Sequence, residues 1–441
     1  MTLAGHLRYS RFSLVANLWC SCIYFAHYSC RSLFMMMETM QIQSRSARKF
    51  LVVLVAAAYL AFGMNSVSAG NEDEGPLQRA LEHFVSSDGG PPGIIVVVTR
   101  GASIDVHTAG VANLESRSPI HIHDHMRLAS VAKAFSGAAS LSLVASGQLS
   151  LDDTIRQWLP ELPQTWWPVT LAQLLNHTSG IRDYTDEDAF LVDLFKSLQS
   201  PPSPRALLAY VAGHPPSFTP GTQYRYSNSD NIIVGLMVEA AVTRPYEAVL
   251  KDRVYRPLKL MHTSLPSDSD LPRPYVRGYA VQDNPPLDVS KFFAAGWAWA
   301  SGGIVSTPAD ATRFVRGYVG GALIDQKTRA AQFHFQPGES DPPGPGVNSA
   351  GLALFRYEST CGTVYGHTGN TAGYTQFVGA TADGRRSVVV SINAQITPKL
   401  AAEPFTELRR IYELAVCAAL RRGTNNGNGQ GENNGDILNL P

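Results

Sequence analysis

Gly93-Ile94-Ile95-Val96-Val97-Val98-Thr99-Arg100 is the stretch on which the fold turns. β-branched side chains fill it, and these are stiff at χ1 and suit a pleated strand better than a helix. Gly101 marks a turn, and Ser103 to His107 reads as the partner strand. A second pair of strands lies at the far end of the chain. Tyr374 to Thr381 and Ser387 to Asn393 flank Asp383-Gly384, a strong hairpin signal. Behind them, Ala401 to Leu420 places Phe405, Leu408, Ile411, Leu414 and Ala415 on one helical face. In between, Ala129 to Ser146 (closed by Gly147), Leu171 to Leu175, Ser203 to Val211 and Asn231 to Ala241 carry helical spacing. Strands at both ends and helices between them predict an α/β (α+β) fold. Its antiparallel sheet is built from both chain ends with flanking helices, and a mainly helical region, about 130–290, is inserted. A cleft between the two parts is expected.

Both termini read as separate from this unit. Arg45, Arg48 and Lys49 precede an apolar run from Phe50 to Met64, and Val67-Ser68-Ala69 offers small residues for cleavage. This is a signal peptide, functional over about 40–69 within a leader of 1–69. Met37 or Met40 makes a better start than Met1, and the mature chain begins near Gly70. The run is short for a bilayer span, which favours cleavage over the alternative of an anchor. Export is expected, to the outside or to the periplasm or cell envelope. The whole chain balances 36 Lys/Arg against 36 Asp/Glu; without the leader's six Lys/Arg and one Glu it holds 30 against 35, a net of −5. No basic stripe remains, so nucleic acid is not an expected partner. Of five cysteines, Cys20, Cys22 and Cys30 lie in the leader. Cys361 and Cys417 remain, and in an oxidising compartment they suggest one disulfide, with two buried free thiols as the alternative. Gly423 to Gly435 is rich in Asn and Gly, and residues 421–441 read as a disordered tail. Residues 70–420 form the catalytic unit, expected as a monomer, and no internal repeat interrupts it.

Three motifs carry chemistry. Ser130-Val131-Ala132-Lys133 places a hydroxyl and an amine on one face at the start of an apolar helix. The pattern alone is weak, since Ser46-Ala47-Arg48-Lys49 matches it inside the signal peptide. A lysine held in a partly apolar site loses its charge easily and can act as a base. Tyr226-Ser227-Asn228 follows the turn residues Thr219-Pro220-Gly221-Thr222 and precedes the helix read from Asn231, so it sits on a loop at an element's end. His367-Thr368-Gly369 ends Val364-Tyr365-Gly366, which reads as an edge strand. Gly369 allows a ligand close to the backbone, and the N–H groups of Ser130 and Asn370 form an oxyanion hole. Singly, these are an N-cap serine with a solvated lysine, an Asx turn and a packing histidine. In this order they describe serine acyl transfer without a metal or other cofactor. His121-Ile122-His123-Asp124-His125 offers three histidines at alternate positions, but no further ligand set follows and the segment runs straight into Ser130.

At this point the chain resembles the serine β-lactamase and penicillin-binding superfamily, close to class C β-lactamases and secreted D-alanyl-D-alanine carboxypeptidases. The resemblance covers most of residues 77 to 420. It extends to Gly147-Gln148-Leu149-Ser150-Leu151-Asp152-Asp153, Leu174-Leu175-Asn176-His177-Thr178-Ser179-Gly180, Pro220-Gly221 and Ser301-Gly302-Gly303. It implies that Ser130 is the acylated nucleophile, that Lys133 and Tyr226 share proton transfer, and that Asn228 positions groups. It also implies that His367 and Thr368 face a substrate carboxylate and that Trp297 is a cleft-wall aromatic. Many members carry Lys where His367 stands, and histidine is similar to the carboxypeptidase branch. That branch places an arginine before the final strand, for which Arg356 is the candidate. The implied activity is a D-Ala-D-Ala carboxypeptidase acting on peptidoglycan peptides and acylated by β-lactam antibiotics. A class C-like β-lactamase, a small-ester hydrolase and a catalytically silent penicillin-recognition protein are the alternatives. A charged His367 would further make carboxylate binding weaken as pH rises through about 6–7.

Overall fold

β-strand side chains point alternately to opposite faces, so an unbroken apolar run requires a sheet covered on both sides. The computed structural model, which describes residues 75–421, has this arrangement. The segment read as a signal peptide, the three cysteines at 20, 22 and 30 and the Asn/Gly-rich segment lie outside the described residues. Helix α1 (Pro76–Ser86) leads into β1 (Gly93–Arg100) and β2 (Ser103–Gly110). The central region contributes α2 (Ala132–Ala145), α3 (Asn228–Val242) and α4 (Pro308–Val319), with several shorter helices. The chain then returns as β3 (Gln336–Pro337), β4 (Val347–Ala350), β5 (Phe355–Ser359), β6 (Gly362–Thr371), β7 (Tyr374–Ala380), β8 (Arg386–Ile392) and α5 (Ala402–Leu420).

These strands form one eight-stranded antiparallel sheet in the order β2-β1-β8-β7-β6-β5-β4-β3. The first and last strands of the described chain segments pair as its second and third strands, where Val96 pairs with Val390 and Val98 with Val388. Ile94, Val96 and Val98 face Leu81 and Phe84 of α1 and Leu408, Ile411 and Tyr412 of α5. Ile95 and Val97 face the other way, into a core shared with α2, α3 and α4. There the Phe135 and Phe314 rings stack 3.6 Å apart. A sheet made from both termini with a helical insertion is therefore present as the sequence predicts.

Some local readings change. Val364 to Gly366 is not an edge: β6 lies between β7 and β5, because buried Phe355 and Tyr357 bring further strands alongside. The helix read over 231–241 starts at Asn228, directly after the extended Ser227, and the one read over 203–211 is confined to Pro204–Leu208. The histidine run 121–125 is not extended. The Asp124 carboxylate accepts from the His121 N–H to close a turn, and the His125 ring nitrogen Nδ1 lies 2.9 Å from the Pro274 carbonyl. Among the described residues no group of three His, Cys, Asp or Glu side chains could hold a metal ion.

Cys361 and Cys417 are joined in a disulfide with Cα atoms 5.1 Å apart, tying the start of β6 to α5 across 56 residues. In the chain-entropy account such a loop stabilises by about 4 kcal/mol. Thiol titration of the denatured, unreduced protein from Gly70 onward is expected to find no free thiol, and reduction to lower the urea midpoint. Two titratable thiols would contradict the bridge.

Candidate functional site

Serine hydroxyls are poor nucleophiles until a base sits beside them. Ser130 lies in a single 3₁₀ turn, Ala129–Val131, immediately before α2. Ala129 holds a left-handed φ of 49°, a conformation that costs a non-glycine residue on the order of 1–3 kcal/mol and recurs at functional sites. Lys133, in the first turn of α2, is 0% exposed. Its Nζ lies 3.0 Å from Ser130 Oγ, 2.6 Å from Asn228 Oδ1 and 2.8 Å from the Ser301 carbonyl. Burial pulls the lysine pKa down to about 7, against the opposing pull of Asp183, Asp341 and Asp230. A neutral amine has two N–H donors and one lone pair. Asn228 Oδ1 and the Ser301 carbonyl, which can only accept, take the two donors. The lone pair is left for the Ser130 hydroxyl.

Tyr226 completes the centre from the loop before α3. Its ring centroid is 4.9 Å from Lys133 Nζ. Its hydroxyl is buried without a hydrogen-bond partner, and burial raises its pKa well above 10, opposed by the neighbouring Ser130 hydroxyl. Tyr226 therefore stays a phenol near neutral pH and can pass a proton on, but does not start as the base. Its other side rests on His177, with ring centroids 4.6 Å apart. His177 Nδ1 is 3.1 Å from Asp230, which also accepts from the Ser179 hydroxyl. Burial drives both members of the pair towards neutrality, lowering the histidine pKa and raising that of the aspartate.

β6 forms the opposite wall. Its pairing with β5 ends at Gly366, so His367 to Asn370 have an edge free of strand partners on that side. A Cβ on Gly369 would sit 2.6 Å from the Leu128 carbonyl and 2.8 Å from the Ser130 nitrogen, so only glycine lets the strand lie against the nucleophile's backbone. Asn370 is fixed by a bond from Gln395 to its Oδ1.

Three expectations meet a different geometry. His367 is fully buried edge-on to Phe355, with Nδ1 2.6 Å from the Thr368 carbonyl. Burial and the Lys133 charge lower its pKa to about 3, so it brings no positive charge for a carboxylate at neutral pH. The Thr368 hydroxyl is donated to the Pro342 carbonyl. Trp297 is 3% exposed rather than a cleft wall; it packs on Phe190, donates to the Ser197 carbonyl and accepts from the Tyr184 hydroxyl. Arg356 is engaged with Ser349 and Glu358 and lies over the Phe335 ring. Sequence reasoning missed Asp183, Asp230 and the functional use of the Ser301 carbonyl. The runs ending at Gly180 and beginning at Ser301 were the available signals.

The beta-lactamase family profile matches residues 77–412. A D-aminopeptidase of Brucella anthropi is 28% identical over 199 residues, 45% of this chain and 37% of that protein. A beta-lactamase of Yersinia enterocolitica is 28% identical over 234 residues, 52% of this chain and 55% of that protein. The chain thus spans about half the length of the curated relatives it matches. Among solved structures, a D-stereospecific amidohydrolase from Streptomyces sp. superposes with a TM-score of 0.66 at 29% identity, covering 76% of this chain and 97% of that one. A D-amino acid amidase from Ochrobactrum anthropi SV3 shares the fold, with a TM-score of 0.66 at 23% identity over 77% of this chain and 97% of that one.

Two outcomes follow from β6. Gly369→Ala is expected to lower kcat/KM by about 10²-fold or more, as removal of a preorganised oxyanion donor does; wild-type kinetics would separate the strand from the nucleophile. His367→Gln is expected to leave the pH dependence of KM for a carboxylate-bearing substrate unchanged between about pH 5.5 and 8. A limb near 6–7 that vanishes in the variant would restore a charged role for the histidine.

Proposed function

Since the chain belongs to the beta-lactamase family, we propose that it is a serine hydrolase working through an acyl-enzyme on Ser130, and that it cleaves amide bonds of D-amino acid derivatives bearing a free α-ammonium group. The carrying observation is the buried lysine, whose lone pair is left for Ser130 by its other two partners. Lys133 takes the hydroxyl proton as Ser130 Oγ bonds to the carbonyl carbon. The N–H groups of Ser130 and Asn370 receive the oxyanion. Tyr226 delivers a proton to the departing nitrogen as the C–N bond breaks, leaving the acyl ester on Ser130. Water then attacks that ester by the reverse proton path, releasing the acid and restoring the serine.

The ammonium preference rests on charge. The acidic groups acting on Lys133 and Tyr226 include Asp183 and Asp341. Asp186 lies beside them, its pKa raised to about 6 by burial and by Asp183. With His367 neutral and Arg356 engaged elsewhere, this group of carboxylates, set against Arg225 and Lys399, suits a cation more than a C-terminal carboxylate. The D-aminopeptidase and D-stereospecific amidohydrolase relatives support the same direction. D-Ala-D-Ala carboxypeptidase activity, with peptidoglycan peptides as substrates and β-lactams as acylating ligands, is the second reading. Arg225, which acts on Asp186, and Lys399, which acts on both Asp186 and Asp341, are the cations that favour it. Export through the leader is part of the proposal, and the Cys361–Cys417 disulfide supports it.

Hydrolysis of D-alanine p-nitroanilide, its N-acetyl form and an N-acyl-D-Ala-D-Ala peptide tests these readings together. The free-amine substrate is expected to be turned over at least about tenfold faster than its N-acetyl form, a difference of about 1.4 kcal/mol, and Ser130→Ala to abolish both. Preference for the dipeptide carboxylate would favour the second reading. Activity retained by Ser130→Ala would remove the mechanism.

A further inference from the structure

An asparagine amide is nearly the same shape in either orientation, yet only one suits a lysine amine. With its oxygen on Nζ it accepts; flipped, its N–H opposes an ammonium and occupies the lone pair of a neutral amine. We propose that Asp183 is a positioning residue of the acyl-transfer centre, holding Asn228 with its amide oxygen turned to Lys133 and thereby leaving the lysine lone pair for Ser130. This rests on the reading of Lys133 as the base.

The geometry fixes the amide from its far side. Asp183 Oδ2 accepts from the Asn228 backbone N–H at 2.8 Å and from its side-chain Nδ2 at 2.8 Å. Carboxylate oxygens are acceptors, so a flipped Asn228 would turn its oxygen towards an oxygen. Thr185 Oγ1 adds a second acceptor 3.3 Å from Nδ2, while its backbone N–H and hydroxyl both donate to Asp183 Oδ1 at 2.9 Å. The carboxylate is thus held at both oxygens.

The turn carrying Asp183 is itself anchored. The Tyr184 N–H donates to Ser229 Oγ, and that hydroxyl donates to the Arg182 carbonyl. The buried Tyr184 hydroxyl donates to the Trp297 carbonyl at 2.8 Å. The Trp297 backbone therefore serves this anchor. Asp183, Tyr184 and Thr185 grip the first residues of α3 from outside, as Lys133 meets Asn228 from inside.

Charge adds a second effect. The groups around Lys133 are Asp183 from this turn, Asp230 from α3, Asp341 from the β3–β4 connection, Tyr226, His177 and His367. Of these, Asp183 is the one bonded to the lysine's amide partner. Removing it takes away a negative charge, which disfavours the ammonium and moves deprotonation to lower pH.

The test uses the full mature protein and p-nitrophenyl acetate, an activated ester that reports acylation whatever the natural substrate. Asp183→Ala is expected to lower kcat about 10²-fold with KM little changed, as loss of a base's alignment does. It should also move the acid limb of kcat/KM about one pH unit below its wild-type position. Asn228→Ala should cost a similar factor in kcat, and Asp183→Ala added to it should cost nothing further, because the aspartate acts through the amide. Thr185→Val, whose backbone N–H bond to Asp183 survives, should give a smaller loss in the same direction and covers a failure of Asp183→Ala to fold. An unmoved acid limb in the folded Asp183→Ala variant, or losses that add in the double variant, would overturn the proposal. Ester hydrolysis that survives Ser130→Ala would instead bring down the acyl-enzyme reading and this inference with it.

Discussion

A fully buried amine can keep or lose its charge only as its few neighbours allow. Lys133 has three bonded neighbours, drawn from three parts of the chain: the turn before α2, the start of α3 and the segment at Ser301. Its ammonium form would satisfy all three, and its neutral form still satisfies two while opening towards Ser130. Burial and the surrounding carboxylates pull in opposite directions, and the balance falls at about 7. A lysine in water would be almost wholly charged there and would make no base. The rest of the centre depends on the exclusion of water from this amine.

The fold supplies that exclusion. A sheet closed by pairing β1 with β8 carries α1 and α5 on one face and the helical insertion on the other. α2 is buried from its first turn, Lys133 included, through Leu143, and Ser130, just ahead of it, is the partly exposed residue of the pair. β6 then passes along that turn at a spacing only a glycine permits. Two packed layers thus hold nucleophile, base and strand edge together. The disulfide ties β6 to α5 outside the centre.

Most of this was legible in the chain because it follows from short-range rules. The β1 run, the hairpin at Asp383-Gly384 and α5 declare themselves through side-chain period and turn chemistry. The motifs around Ser130, Tyr226 and His367 do converge. What was not legible depends on burial across long separations. His367 stands where the resemblance implies a group facing a carboxylate, but burial, with Phe355 packed on its ring, makes it neutral. Trp297 is a cleft wall on the resemblance alone, and nothing local announces Phe190 and Tyr184, which bury it. Val364 to Gly366 passed for an edge because β3 to β5 give weak strand signals. Asp183 looks like a loop aspartate until α3 arrives beside it.

The central claim is that Lys133 is the base because burial strips its charge near neutral pH. The most direct measurement is an NMR titration of the Lys133 side chain in the protein from Gly70 onward, using ¹³C-labelled lysine with Lys133→Met to assign the resonance. The account expects a midpoint at about 7. A midpoint near the ordinary lysine value of about 10.4 would contradict it, because the amine would then be charged whenever Ser130 needs a base.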